Sequence, residues 1–385
     1  MSRVLFVTAQ HFATHPRKVD LHFMTEALNA RGVPVDILSM RLSLISRLVG
    51  DERWTFARAR PLNRWTAISP LLREFIWISP LHPVATGRAW LDRLTTPLAR
   101  LYGRRLPWAV KSELGSYSHI VIESGVSVLT IPEIRRLAPQ AVVIYHAADR
   151  LSTIGAHPAA KTVLGEQAGA LDLVHVMAEA IKGDIPARTN IVHLSHGISK
   201  RAFDTCNSNP YAGPRNAVSV GDMLFDAGAI STMAGSFPDW TFHLFGRLAR
   251  LPDRFPNVVA HGERPFDEIV GFIKFADIGI APYRLMPDAD YLSQSSMKMI
   301  QYSYCRLPIV APDFAAAGRR HVLAYDPRSP DSIRAAFGAA IGFDRTTIDT
   351  SDVMDWTEKT ARLFASKAAR HDGKDIAAPS AEEEA

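Results

Sequence analysis

Residues 291–302 read Tyr291-Leu292-Ser293-Gln294-Ser295-Ser296-Met297-Lys298-Met299-Ile300-Gln301-Tyr302, and Cys305-Arg306-Leu307-Pro308-Ile309-Val310-Ala311 follows shortly after. Serines open a helix, so its first N–H groups and the positive end of its dipole point outward. Lys298 falls in the first turn, where a cation opposes the dipole. An anion is its natural partner, and a helix N-terminus with one lysine makes a phosphate site. Gln301, three residues on, shares that face. The plain alternative is an exposed surface lysine. Leu307-Pro308 ends the helix and Ile309–Ala311 is a short apolar strand, a helix-to-strand step of the kind that builds parallel α/β sheets.

Working outward, the same alternation fills most of the chain. Upstream strands of this domain are Ala217–Val220, Thr241–Phe245, Val258–Ala260 and Ile278–Ala281, with helices near Ala227–Ser236, Phe266–Phe275 and Ser296–Cys305. After Val220 comes Gly221-Asp222-Met223-Leu224-Phe225-Asp226. This is a close-approach loop to a ligand, or an ordinary strand-to-helix turn with Asp226 as N-cap. There is no G-x-G-x-x-G and no Walker motif, which argues against a dinucleotide or P-loop reading. A breaker-rich run, Asn207 to Pro214, precedes this domain. Before it lies a first α/β series. Its strands are Val4–Ala9, Val35–Ser39, His119–Ile122, Ala141–Tyr145, Leu173–Val176 and Ile191–Leu194, and its helices Pro16–Ala30, Val126–Arg136, Ala159–Ala170 and Ala178–Asp184. The expected domains are therefore 1–205 and 206–350, then a helical 351–370 (the helix itself read over Asp352–Ala369) and a disordered acidic tail, 371–385. Ligands of such sheets bind beyond the carboxyl ends of the strands, and two such domains are expected to face one another across a cleft.

The 385 residues carry 44 Lys plus Arg against 39 Asp plus Glu, net +5, and 47% are hydrophobic, which excludes disorder and coiled coil. Two cysteines exclude a disulfide framework and suit a reducing compartment. No run reaches the ~18 apolar residues of a membrane span, and the apolar N-terminus is too short for a signal peptide. The charge is uneven. Residues 41–110 hold 12 Arg, no Lys and four acids, and five of the seven Trp. From Gly87 to Tyr102, Leu91, Leu94, Leu98 and Leu101 form an apolar stripe beside Arg93, Arg100 and Arg104, with Pro97 expected to kink the helix. Leu44, Ile45 and Leu48 repeat the theme beside Arg41 and Arg47. Three readings stand: a membrane surface, nucleic acid, or an ordinary helical insertion with a solvated basic face. No helix-turn-helix, zinc finger or aromatic-rich strand motif supports nucleic acid.

Several blocks in order along the chain resemble the xanthan-type glucuronosyltransferase family, GumK-like, glycosyltransferase family 70. They are His22–Thr25, Glu123–Gly125, Ala148–Ile154, His196-Gly197, Gly221–Asp226, Gly262-Glu263, Ile273-Lys274, Gly279–Tyr283 and Ser295–Tyr302. The resemblance implies a GT-B fold of two Rossmann-like domains facing across a cleft. It implies an inverting, metal-independent and monotopic membrane enzyme whose acceptor is a polyprenyl-diphosphate-linked oligosaccharide in exopolysaccharide synthesis, with UDP-glucuronate as donor. It places the catalytic Asp at Asp149 and the donor contacts at Met223, Glu263, Tyr283, Met297, Lys298 and Gln301, with Asp226 a further acid in the donor-side loop. This chain departs from the family pattern at Arg150, where a Gly is usual, at Ser199 for Asp, and at Asp222 for Ser.

Asp149 follows a central strand; it is a general base or, more plainly, the N-cap of a turn, and Glu123 is the alternative base. Tyr283 and Met223 are expected to pack on uracil and Glu263 to accept hydrogen bonds from the nucleoside. Asp288-Ala289-Asp290 spells D-x-D, read as a solvated loop rather than a metal site. His11 and His15 have zinc-pair spacing, but Phe12 stands where a metalloprotease has Glu. No metal and no cofactor is expected. The expected partners are a UDP-sugar, a lipid-linked oligosaccharide and an anionic membrane surface reached through Arg93, Arg100 and Arg104, with no nucleic acid. The expected setting is the cytoplasmic face of the plasma membrane. The competing readings are another UDP-sugar enzyme, a hexosyltransferase or epimerase, and a non-catalytic protein of the membrane surface.

Overall fold

The computed structural model describes residues 2–10, 18–48, 51, 53–187, 189–286, 295–316 and 318–366. Asp288, Asp290, His11, His15 and the tail 371–385 lie outside the described residues. The chain forms two compact units. One holds the N-terminal strand, Leu21–Ser195 and the chain from Thr357, and the other holds His196–Trp356.

In the first unit eight strands run in the order β3(Trp65–Ser69), β4(Leu72–Ser79), β2(Val35–Ser43), β1(Val4–Thr8), β5(His119–Glu123), β6(Val142–Ala147), β7(Leu173–Val176), β8(Ile191–His193). All neighbours are parallel except β3 on β4. Every residue of β1 and β5 is buried, as strands covered on both faces must be. The strand order reverses between β1 and β5, which puts the switch point of this sheet at Thr8 and Glu123.

The second unit is a six-stranded parallel sheet, β11(Val258–Gly262), β10(Thr241–Phe245), β9(Asn216–Val220), β12(Ile278–Ile280), β13(Ile309–Pro312), β14(Val322–Tyr325). In sequence rank that is 3-2-1-4-5-6, the dinucleotide-fold order, with its switch point between β9 and β12. Its core centres on Phe337, whose ring lies 4.7 Å from Phe237 and 5.3 Å from both Trp240 and Phe242.

Five expectations change. The Arg-rich segment contains β3 and β4, which extend the sheet where only helix was expected. The second unit gains β14 and the helix Pro330–Ile341. The boundary falls after Ser195 rather than 205, because helix Lys200–Thr205 belongs to the second unit: Phe203 packs edge-on against Phe266 and Tyr304, and Lys274 Nζ donates to the carbonyls of Phe203, Asp204 and Cys206. The last helix, Trp356–Ala365, sits on the first unit from Thr357 onward, with Phe364 against His119 and the fully buried Lys359 donating to Met177 Sδ at 3.2 Å. The span expected as one helix, Val126–Arg136, divides into a 3-10 turn, Val126–Thr130, and an α-helix, Ile131–Leu137.

Candidate active site

The switch point of the second sheet gathers the loops after β9 and β12. The loop after β9 is tied down at both ends: Gly221 N donates to Phe245 O at 2.8 Å and Asp226 N to Pro282 O at 2.8 Å. Asp226 then caps helix Ala227–Ser236, its Oδ1 accepting from Ala229 N at 3.1 Å, so the capping role weighed from sequence is present. Asp222 Oδ2 accepts from Leu248 N at 2.9 Å, which links this loop to the turn after β10. Met223, at the tip, is 45% exposed.

Opposite lies helix Met297–Tyr304, capped by Ser296, whose Oγ accepts from Met299 N. The helix can lie close on the sheet because residue 279 is glycine; a Cβ there would stand 2.5 Å from the Tyr302 ring. Tyr302 in turn accepts a hydrogen bond from Val220 N at 2.9 Å, so the end of β9 and this helix are held as one piece. The Lys298 ammonium sits 4.8 Å from the centre of the Tyr283 ring, and the Tyr283 hydroxyl shares a 2.6 Å hydrogen bond with the capping Ser296. Tyr283 is 1% exposed, and burial pushes its phenol up to about 12. Its ring is therefore not an open platform for uracil, which corrects the stacking role expected for it. It orients the cap and lies under Lys298. Met297 and Lys298 are half-buried, Gln301 is buried, and Glu263, next to Gly262 at the end of β11, is half-buried.

In the first unit Asp149 follows β6, half-buried, with its N–H donating to Ser124 Oγ at 3.2 Å. It borders an open pocket with about 360 Å³ of empty space, shared with Tyr145, Leu151, Lys161, Ile181 and Asp184. Burial first, then Asp149, Asp184 and Glu123, raise the Tyr145 phenol above its ordinary range. Arg150, the departure beside Asp149, is anchored: it pairs with Asp184 at 3.0 Å and donates to Ala180 O at 2.8 Å. Glu123 ends β5 at the switch point, is buried, and accepts a hydrogen bond from Thr8 Oγ1.

Behind these carboxylates lie two fully buried histidines not singled out from sequence, His146 and His175. They are register partners on β6 and β7, and His146 is also the partner of Glu123. Their Nδ1 atoms are 2.8 Å apart and His175 Nε2 is 2.9 Å from Leu194 O. A carbonyl only accepts, so His175 Nε2 carries hydrogen. The signal available in the sequence was a polar residue at the same depth in three consecutive apolar strands.

The helix Ala89–Arg104 runs unbroken through Pro97. Its buried residues are Asp92, Ala99, Tyr102 and Gly103, while Leu94, Leu98 and Leu101 are 67%, 54% and 44% exposed. Arg93 and Arg104 are exposed, but Arg100 is engaged by Glu166 through two bonds of 2.9 and 2.6 Å. No helix among the described residues is long and apolar enough to cross a membrane.

Comparison with known proteins gives the family. Residues 6–177 match the model described as glucuronosyltransferase GumK, N-terminal domain. The UDP-glucuronate:glycolipid 2-beta-glucuronosyltransferase of Xanthomonas campestris pv. campestris is 31% identical over 369 residues, 94% of this chain and 90% of that one. The chain belongs to the GumK glucuronosyltransferase family. Among solved structures, HepE of Anabaena in complex with UDP and glucose superposes with a TM-score of 0.62 at 14% identity, over 95% of this chain and 100% of that one. Trehalose-6-phosphate synthase OtsA gives 0.61 at 13%, over 93% and 96%. The fold of this GumK-family chain is thus GT-B, two parallel-sheet α/β domains.

Proposed function

We propose that the chain transfers glucuronate from UDP-glucuronate to a hydroxyl of a lipid-linked oligosaccharide, with inversion at the anomeric carbon and without a metal ion, from a peripheral position on the inner face of the plasma membrane. The observation that carries this reading is the anion-ready end of helix Met297–Tyr304, with Lys298 held at 4.8 Å over Tyr283 at the switch point of the second sheet, in a chain of a glucuronosyltransferase family. A helix N-terminus and one ammonium suit a diphosphate. Met297 and Gln301 flank it on the same helix, exposed Met223 is available to the uracil, and Glu263 to the nucleoside hydroxyls or ring N–H.

In the transfer, the acceptor oxygen forms a bond to the anomeric carbon while the bond from that carbon to the β-phosphate oxygen breaks. The electron pair leaves with UDP and the hydroxyl proton passes to Asp149. Lys298 and the helix N–H groups offset the charge growing on the leaving diphosphate. Glu123, buried and engaged by Thr8, supports the base side rather than meeting the acceptor. Arg93 and Arg104, beside the outward leucines of their helix, supply the contact with anionic lipid.

The test is a donor screen with the full-length chain and a lipid-linked acceptor extract, comparing UDP-glucuronate with UDP-glucose, UDP-galactose and GDP-mannose. Transfer from UDP-glucuronate giving a β-linked product supports the reading. Transfer from another donor in its place, or an α-linked product, overturns the sugar or the inversion respectively.

A further inference from the structure

We infer that Leu248, held in place by Asp222, forms a second apolar wall of the nucleobase site beside Met223. The inference deepens the proposed function and rests on its UDP-sugar donor. Leu248 is not among the donor contacts that the family resemblance implies, and Asp222 is one of the positions where this chain departs from the family pattern.

The need for such a wall follows from Tyr283. A base is held by apolar surface against its ring faces, and Met223 and Tyr283 are the two side chains expected to supply it. Tyr283 is 1% exposed, so of that pair only Met223, at 45%, offers surface. Leu248, in the turn after β10, is 63% exposed. One exposed leucine needs no explanation by itself. This one is fixed next to Met223 by two features of the backbone.

The first is a hydrogen bond. Asp222, the residue before Met223, accepts from Leu248 N at 2.9 Å through Oδ2. The second is a close approach. Gly246 has a φ of +136°, and a Cβ there would stand 3.0 Å from Asp222 Cβ and 3.2 Å from Asp222 N. Any other residue at 246 would strain the backbone and press the two loops apart. Leu248 lies two residues beyond this contact, in a turn where Ala249 N donates to Gly246 O at 3.4 Å and Arg250 N to Leu248 O at 2.9 Å. Its apolar surface is therefore presented from a set position, and little ordering remains to be done on binding.

The order of the strands sets what that surface meets. Neighbouring strands run β11-β10-β9-β12, and the loops at their carboxyl ends carry Glu263, Leu248, Met223 and Tyr283 in that order. The loops are linked in series. Gly246 N donates to Gly262 O at 2.8 Å, Asp222 holds Leu248, and Phe225 forms a β-bridge with Tyr283. Lys298 lies over Tyr283 at the far end. The row covers three inter-strand spacings, about 14 Å. It offers a carboxylate at one end, apolar surface in the middle and an ammonium at the other. A nucleoside diphosphate matches that sequence with the polar edge of its base, the faces of the base and its phosphates. A bare diphosphate would use the Lys298 end alone and leave the leucine in water. Leu285 is 60% exposed, but it follows Tyr283 at the Lys298 end of the row, away from Glu263.

The test is calorimetry with UDP and with uridine on the full-length protein and its variants, with folding checked by thermal melting. Leu248→Ser should weaken both ligands by the same factor, about 10-fold, the scale of one leucine withdrawn from water. Leu285→Ser, a leucine of similar exposure at the other end, should change neither. Asp222→Ala should lose as much as Leu248→Ser. Asp222→Asn should keep the affinity, because its amide oxygen still accepts from Leu248 N. Leu248→Ser combined with Asp222→Ala should lose little more than either alone, since both remove the same wall. If Asp222→Ala does not fold, the Leu248→Ser and Asp222→Asn variants carry the comparison. Unchanged uridine affinity in Leu248→Ser overturns the wall. An equal loss in Leu285→Ser overturns its placement at the base. Additive losses in the double variant, or no recovery in Asp222→Asn, overturn the role of Asp222. A wild type that binds no uridine nucleotide overturns the donor reading itself, whereas one that binds UDP without help from Leu248 overturns this inference alone, so the two failures are distinguishable.

Discussion

Replacing Lys298 with Ala separates the donor reading from the surface-lysine reading, and the structure sets the size of each effect. In the fold itself two small terms oppose one another. A cation in the first turn of helix Met297–Tyr304 works against the helix dipole, by ~0.3–1 kcal/mol. Its position 4.8 Å over the Tyr283 ring returns ~0.5–1 kcal/mol as a cation–π contact. Removing Lys298 should therefore leave thermal stability nearly unchanged. Binding of a diphosphate has no such cancellation: one charge-assisted hydrogen bond is worth about 1.5–3 kcal/mol. That converts to about 10- to 150-fold in Kd for UDP. Uridine, which lacks the diphosphate, should bind Lys298→Ala and wild type alike, and Lys298→Arg should retain most of the UDP affinity. Calorimetry with UDP and uridine on wild type and the two variants measures this directly. A folded Lys298→Ala variant with wild-type UDP affinity, or one that loses uridine as badly as UDP, refutes the phosphate role.

Asp149→Asn should keep UDP binding but lose about 10²–10⁴ in turnover, because the amide cannot take the proton; near-normal turnover would refute Asp149 as the base. Turnover should persist in EDTA, and loss that Mn²⁺ or Mg²⁺ restores would sink the metal-free mechanism. Binding to anionic vesicles should fall with added salt and with Arg93→Gln plus Arg104→Gln, read by sedimentation; equal binding to neutral and anionic vesicles would remove the electrostatic term. Arg100 is left out because Glu166 holds it. Burial holds the imidazoles of His119 and His243 down to about 4, so both stay neutral in the fold while the unfolded chain takes protons near 6.5. The unfolded state then binds more protons, and stability should drop as pH falls from about 6.5 to about 4; a denaturation midpoint flat over that interval contradicts this.

The parallel strands were legible because strands buried on both faces are nearly all apolar, and β10 and helix Ala227–Ser236 fall where the pattern puts them. The Ser-opened helix was legible for the same kind of reason, since capping is a local choice. β3 and β4 were not, because their charges looked like a solvated face. In the fold Arg73 is the register partner of Asp36 and donates to both its oxygens at 2.9 and 2.8 Å, while Glu74 accepts from Ser39 Oγ at 3.3 Å. A cross-strand ion pair is invisible until the strands are paired, and β2, on which β4 pairs, lies more than 30 residues before it. The same limit hid the His146–His175 pair. Tyr283 fell short differently: its side-chain type suits base stacking, but burial is set by Ser296 and Lys298, which fold over it from a later helix.

The Ala89–Arg104 helix weighs on the three readings of the basic segment and supports the membrane-surface reading proposed above. An ordinary surface helix turns its leucines inward, and each buried leucine is worth roughly 1.5–3 kcal/mol. Here Leu94, Leu98 and Leu101 face out, while the inward side is Asp92, Ala99, Tyr102 and Gly103. Rotating the helix to bury the leucines is blocked by the packing it already has. Any Cβ at Gly103 would stand 1.8 Å from Leu129 O, so this face is cut for close approach to the turn Val126–Thr130. Asp92 accepts from Thr86 N–H and Oγ1 at 2.9 and 2.8 Å, which fixes the angle at which the helix begins. The chain thus commits small and polar residues inward and forgoes the burial of three leucines. A nucleic-acid surface has no use for an aliphatic stripe, and a solvated face gains nothing from one. On the proposed membrane reading, a lipid surface would recover that apolar area, with Trp90 at 61% and Trp108 at 81% exposure suited to the depth where indole prefers to sit, and the exposed Arg93 and Arg104 suited to the headgroups.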